Sequence, residues 1–240
     1  MTDLAILTPT RGRPRRFADM LEAVHRTAEL DVQVWAGLDD DDPAVPDYDA
    51  VLTGLPFDRE TYGERGPRRS LSGWTNHLAH LALNSSDPPR YLASLGDDHH
   101  PRTPGWDRLL VEAIEEHGGP GIAYGNDLFQ GANLPTAWVV SADIVRALGW
   151  MMLPTLAHMY VDGVTLQLGR AAGCITYCPG VVIEHLHPLA GKAAWDKSYR
   201  HTNSPASYEA DQTAYEAWLR DGLAGDADRV RAVAVVKTGG

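Results

Sequence analysis

"YLASLGDDHHP", Tyr91–Pro101, is the stretch on which the fold turns. Tyr91 to Leu95 is a short apolar run, the length of a buried strand rather than a helix. It stops at Gly96, and two aspartates and two histidines follow. Ligand sites of open α/β sheets collect beyond the carboxyl ends of the strands. Asp97 and Asp98 therefore read either as a strand-ending polar loop or as the floor of a site. The chain on either side has to decide.

Upstream, Leu4–Leu7 reads as a buried strand ended by Thr8-Pro9-Thr10. Pro14 suits the first turn of a helix, and Phe17, Met20, Leu21 and Val24 recur at helical steps. Val32–Leu38 reads as a second strand that runs straight into Asp39–Asp42. Strand, helix, strand with polar clusters at the strand ends is the opening of an α/β fold with a parallel sheet. Residues 43–70, with Pro43, Pro46, Pro56 and Pro67, read as a long irregular excursion with one short strand near Val51. Ser70 then caps a helix whose apolar face is Leu71, Trp74, Leu78 and Leu81.

Downstream, Thr103-Pro104 reads as the cap and first-turn proline of a helix burying Trp106, Leu109, Leu110, Ala113 and Ile114. Ala137–Val140 reads as a strand, and Ser141 caps a short helix ending at Gly149. Asp162 opens a helix through Leu168. Cys174–Tyr177 and Val181–Glu184 read as two strands. Ser204-Pro205 starts a last helix carrying Tyr208, Tyr215, Trp218 and Leu219.

Composition narrows the class. With 240 residues and 44% hydrophobic content, the chain suits one globular domain, 1–240. A formal charge of −11 lacks the footprint of a general nucleic-acid binder, although a local basic groove stays open. Cys174 and Cys178 cannot make a four-cysteine zinc site and read as small buried residues of a reducing compartment. The first apolar stretch is too short for a signal-peptide core, and no run nears the ~20 apolar residues of a membrane span. The expectation is a soluble cytoplasmic protein.

Four groups carry chemistry. Asp97 and Asp98 can hold a hard divalent cation and, through it, a diphosphate. His185 and His187 share one side of an extended segment, and imidazole with carboxylate suits Mn²⁺, Zn²⁺ or Fe²⁺ better than Ca²⁺. Asp162, in "HMYVDGVTLQLG", is either a charge favoured at a helix start or a general base aimed into the cleft. Thr8, Pro9, Thr10, Arg11 and Asp39 lie at the ends of the first two strands and flank one pocket if those strands are neighbours. Arg13, Arg15, Arg16, Arg68 and Arg69 add guanidinium groups, which suit phosphate. Each group alone has a plain structural reading: strand terminators, surface histidines, a helix-start charge, solvated arginines. The G-x-G-x-x-G, G-x-x-x-x-G-K-[ST] and G-x-S-x-G signatures are absent.

The order of these groups resembles the GT-A fold glycosyltransferases, especially their family 2-like group. "ILTPTRGRP" matches the first strand end, Asp39 in "GLDDDDP" the aspartate on the nucleotide base, and "RRSLSGWTNHLAHLAL" loosely the following helix. "LGDDHHP" matches the DxD-type motif, Asp162 the base of inverting members, and His185 or His187 the late metal histidine. The resemblance covers residues 4–190. It implies a mixed, mainly parallel GT-A (Rossmann-like) sheet flanked by helices. It also implies a nucleotide-sugar-binding half at about 1–100, an acceptor and catalytic half at about 101–205, and a helical tail at 206–240. Thr8, Pro9, Thr10, Arg11, Asp39, Arg69 and Asp97 would bind the nucleotide-diphosphate sugar, with a UDP-sugar favoured. Asp98, His185 and His187 would hold Mn²⁺ or Mg²⁺, and Asp162 would activate an acceptor hydroxyl. A nucleic-acid acceptor is disfavoured by the acidity. The chain departs from the pattern in having D-D-H-H for D-x-D and Val161-Asp162 for an acidic pair. Three other readings stand beside this one: a sugar-phosphate nucleotidyltransferase, a metal-dependent hydrolase using Asp97, Asp98, His99, His100, His185 and His187, and a non-catalytic binding protein.

Overall fold

Strand β1 (Leu4–Thr10) is apolar on both faces, and this puts it at the centre of the sheet. Leu4 and Ile6 point into one core, Ala5 and Leu7 into another. A strand buried on both sides needs helices on both sides. The computed structural model, which describes residues 2–54, 60–202 and 204–237, supplies them. Helices α1 (Pro14–Thr27), α2 (Val45–Gly54) and α4 (Trp106–Glu116) cover the Leu4/Ile6 face with Phe17, Tyr48 and Trp106. Helices α3 (Leu71–Leu83), α5 (Ala142–Leu148), α6 (Val161–Ala172), α8 (Pro205–Asp221) and α9 (Leu223–Lys237) cover the other face with Trp74, Ile144, Val164, Trp218 and Val230.

The remaining strands are β2 (Val32–Asp39), β3 (Thr61–Gly66), β4 (Tyr91–Ser94), β5 (His99–Pro101), β6 (Ile122–Asn126), β7 (Trp138–Ser141) and β8 (Ile175–His185). The sheet order is β3-β2-β1-β4-β7-β6-β8-β5. Strands β1, β2, β3 and β4 are parallel neighbours, as are β6 and β8, while β7 and β5 run antiparallel. This is the mixed, mainly parallel single-domain sheet expected from the sequence. Among the described residues no helix is long and apolar enough to cross a membrane.

The structure corrects several local readings. Residues 43–70 hold helix α2 and strand β3, and Val51 lies in the helix rather than in a strand. Only Tyr48 of α2 is buried, so there is no apolar period to read, and β3 is an edge strand held by its backbone pairing with β2. Pro56 lies outside the described residues. Helix α4 starts at Trp106 behind a left-handed Gly105, because the Thr103 hydroxyl accepts the Val182 N–H (2.9 Å) instead of capping the helix. Ser141 stands at the start of α5, but its hydroxyl accepts from Gly121 N (3.0 Å). The two strands read at 174–184 are one strand, whose register against β6 jumps between Gly125 and Asn126. The residues after Gly222 form α9, which packs against α5 and α6 and buries Ala227 and Val230.

A glycine sets the position of one site element. A Cβ on Gly37 would come within 2.8 Å of the Trp74 ring, so the indole of α3 lies flat on β2 only because that position has no side chain. Gly37→Ala is expected to cost about 1–3 kcal/mol by overpacking, read from the urea midpoint, and to tilt Trp74 away from Asp39.

Candidate active site

The strand end after Tyr91–Ser94 does not stay a loop. It turns at Gly96 and returns as β5, which pairs with the end of β8 so that His99 stands opposite His185. The two imidazoles stack at 4.1 Å between centroids. Asp98 lies between them: its Oδ1 is 3.3 Å from His99 Nδ1, and its Oδ2 is 3.6 Å from His185 Nε2. A Cβ on Gly96 would press to 2.7 Å of Asp98 Oδ1, so the tight turn needs a glycine. One ligand atom from each of Asp98, His99 and His185 lies within 4.8 Å of the others. His99 Nε2 and His185 Nδ1 are buried without a hydrogen-bond partner. Burial opposes the charge on Asp98, but His185 and His99 hold its carboxyl well below the usual range. A buried anionic oxygen beside two imidazoles with orphaned nitrogens fits a divalent transition-metal ion.

His187 stands outside this group. Its Nδ1 accepts the Leu189 N–H (3.2 Å) at the start of a short 3₁₀ turn, and its ring is 5.0 Å from that of His185. Burial, reinforced by His185, pushes its pKa down to about 4, so the ring is neutral at physiological pH.

Asp97 points the other way. Burial and the neighbouring Asp98 charge push its carboxyl up to about 6. Thr10 donates to it at 2.6 Å and Arg13 Nη1 at 3.2 Å. Thr10 also meets the Tyr48 hydroxyl (2.9 Å), which accepts the Arg13 N–H at 2.8 Å. Helix α2 thus reaches the ends of β1 and β4 through a single phenol.

The ends of β1 and β2 form a third cluster. Buried Asp39 accepts from Trp74 Nε1 (2.6 Å), Arg69 N (3.1 Å) and Arg11 Nη1 (2.9 Å). The Arg69 guanidinium lies 5.3 Å over the Trp74 ring. Pro9 is partly exposed beside this cluster, whereas the Thr8 side chain is sealed in the sheet with its hydroxyl unpartnered.

Asp162 occupies the first turn of α6, behind a left-handed Tyr160. Its residue keeps some surface open, yet desolvation of the carboxyl pushes its pKa up to about 7. The charges of Asp127 and Asp98 add to the rise, and His185 opposes it. The charges of Asp98 and His185 are thus felt at the Asp162 carboxyl. The turn before it hangs from α8: Asp211 accepts the N–H groups of Ala157, His158 and Met159 at 2.7–2.8 Å. Tyr215 of α8 stacks on Tyr160 at 5.1 Å. Asp211→Ala is expected to cost about 1–2 kcal/mol, since the freed donors are only partly buried. Urea unfolding checks this, and Asp211→Asn, which keeps an acceptor, should lose less.

Several site residues escaped the sequence reading. The sequence offers His99 only within the hydrolase alternative, because it is the β5–β8 pairing that brings it to His185. Asp127 follows β6. Its Oδ1 accepts from Phe129, Gln130 and Gly131 N at 2.7–2.9 Å, and its Oδ2 stands 4.0 Å from His185 Nδ1. The signal for it was an aspartate just before a glycine-containing turn in "NDLFQG". Asp196 and Tyr199, on and just before α7 (Lys197–Thr202), reach back to Arg13 and Asp98 with no local signal at all.

No family profile matches the sequence, and no curated protein is detectably similar to it. Solved structures are similar in fold. The mannosyltransferase PcManGT from Pyrobaculum calidifontis, in complex with GDP-Man and Mn²⁺, superposes with a TM-score of 0.62 at 13% identity, over 99% of this chain and 75% of its own. S. aureus TarS 1–349 in complex with UDP gives 0.58 at 9% identity, over 97% and 83%. A candidate nucleotide-diphospho-sugar transferase from Desulfovibrio desulfuricans G20 gives 0.51 at 14%, over 95% and 99%. The chain has the GT-A-like fold of these nucleotide-diphospho-sugar transferases.

Proposed function

We propose that the chain is a glycosyltransferase that moves a sugar from a nucleotide-diphosphate sugar to an acceptor hydroxyl with inversion. One observation carries the reading. Beyond the strand ends of a GT-A-like sheet stands an Asp98–His99–His185 group, and the charges of Asp98 and His185 act on the carboxyl of Asp162, whose pKa is near 7. The neighbours that hold GDP-Man and UDP support a nucleotide donor.

Arg11, Asp39 and Arg69 form the wall for the base and ribose, with Pro9 and Thr10 at its edge and Thr8 sealed behind them, and Asp97 sits where the ribose and diphosphate meet. Asp98, His99 and His185 would hold the cation, and His187 packs against them. Two imidazoles favour Mn²⁺ over Mg²⁺. Such a cation, when bound, neutralises charge developing on the leaving diphosphate. Asp162, ionised, removes the acceptor hydroxyl proton. The oxygen attacks the anomeric carbon from the side away from the diphosphate, the bond to the diphosphate breaks, and the nucleoside diphosphate departs. Residues 1–100 serve the donor and 101–205 the acceptor, while the tail beyond 205 braces α6 through α9. Cys174 and Cys178 are unpaired, which supports a reducing, cytoplasmic setting. Calorimetry with UDP- and GDP-sugars, with and without Mn²⁺, tests the reading. A complete lack of nucleotide-sugar binding with every metal tried ends it.

A further inference from the structure

Arg13 leaves the loop between β1 and α1 and projects under α7. Its guanidinium uses three nitrogens. Nη1 contacts Asp97 at 3.2 Å, while Nε and Nη2 form a two-pronged fork with the Asp196 carboxylate at 2.8 and 2.9 Å. Its carbon lies 3.9 Å over the Tyr199 ring. Burial works against its charge, but Asp196 and Asp97 keep it a firm cation. This fork is the geometry with which arginine grips phosphoryl oxygens as well as carboxylates.

The same short helix has a second hold. Tyr199 donates to Asp98 Oδ2 at 2.6 Å, the oxygen that faces His185. Arg16 donates to the Tyr199 hydroxyl at 2.8 Å. One strap therefore brings a carboxylate to the cleft's buried cation and a proton donor to its buried anion. Asp196 and Tyr199 match the two charges that a nucleoside diphosphate and its counter-cation would bring. Asp196 is the more exposed partner of its pair, at 34% against 13% for Arg13, so it is the one free to yield.

We propose that Arg13 is the phosphoryl-binding residue of the cleft and that Asp196 and Tyr199 hold its place. A nucleoside diphosphate enters by taking the guanidinium fork from Asp196, which releases the strap from Asp98. The identity of that ligand rests on the glycosyltransferase reading; the anion seat itself does not. The strap is then a gate on donor entry, built from the chain's own mimic of the donor's charges.

The test is calorimetry on the full chain, first with inorganic pyrophosphate and then with UDP and GDP, each with and without Mn²⁺. Asp196→Asn keeps the shape and removes the competing charge. It is expected to bind pyrophosphate about 1.5–5-fold more tightly than wild type, the range of one partly exposed ion pair. Arg13→Gln is expected to weaken binding at least about tenfold. If that variant does not fold, Arg13→Lys keeps the charge without the fork and should erase the gain from Asp196→Asn. Tyr199→Phe is expected to bind Mn²⁺ more tightly. Unchanged or weaker pyrophosphate binding by Asp196→Asn overturns the proposal, because the carboxylate would then be supporting the bound state. Tighter pyrophosphate binding with no UDP or GDP binding overturns the donor reading and keeps the anion seat. UDP or GDP binding that ignores Asp196→Asn does the reverse.

Discussion

Asp162→Asn is expected to lower kcat for sugar transfer by about 10²–10⁴-fold, the usual contribution of a positioned general base, while the Kd for the nucleotide donor stays within about twofold, since no donor contact is removed. The amide keeps the size of the side chain but cannot take the acceptor proton. Retained turnover would remove Asp162 from the mechanism. The pH dependence has a definite sign. With its pKa near 7, Asp162 is mostly protonated at pH 6, so kcat/KM of the wild type should rise through neutrality. Positive charge brought to Asp98, His99 and His185 favours the carboxylate and moves that rise to lower pH. Stability runs the opposite way. The folded chain holds a proton on Asp162 that the unfolded chain, with a carboxyl pKa of about 3.9, has already released. The folded state therefore binds more protons between about pH 4 and 7, and ionising Asp162 costs stability as pH rises through that window. The Asn variant escapes this cost. At pH 8 it should be more stable than wild type in urea, although slower in transfer.

Asp98→Asn is expected to have the second large effect. The substitution removes the only formal negative charge among Asp98, His99 and His185. If the metal supplies several kcal/mol of charge stabilisation, its loss lowers transfer by about 10³-fold. A readout independent of turnover is the melting temperature. Mn²⁺ should raise Tm of the wild type, because a ligand that binds only the folded state stabilises it. Asp98→Asn should erase that shift. His187→Ala should keep it, since His187 lies outside the Asp98, His99 and His185 group. An Mn²⁺ shift that survives Asp98→Asn and disappears in His187→Ala would reverse the ligand assignment.

The two predictions rest on different kinds of legibility. The expectation for Asp162 comes from a local signal, a carboxylate in the first turn of a periodic helix, and the structure has it in that turn. The expectation for Asp98 comes from a buried run that ends just before it. The sequence pairs His187 with His185 by the rule that residues two apart in a strand share a face. The strand stops at His185, however, and Pro188 begins a 3₁₀ turn that draws the His187 ring nitrogen to Leu189 N. Residues 43–70 hid Tyr48 because α2 packs through one side chain and so shows no period.

By itself, the sequence determined the α/β class, the central place of β1 and the clustering of chemistry at strand ends. Each of these is written in the spacing of apolar residues, which burial on one or two faces dictates within a single element. Tertiary structure alone decided which groups meet. Cross-strand pairing of β5 with β8 set His99 against His185. Two ion-pair and hydrogen-bond reaches from the α7 strap closed Arg13 and Asp98. Asp211 of α8 fixed the turn that presents Asp162. Such contacts join groups far apart in the chain. They are chosen by the packing of whole elements and by the need to pair buried charges, and neither leaves a period in the local sequence.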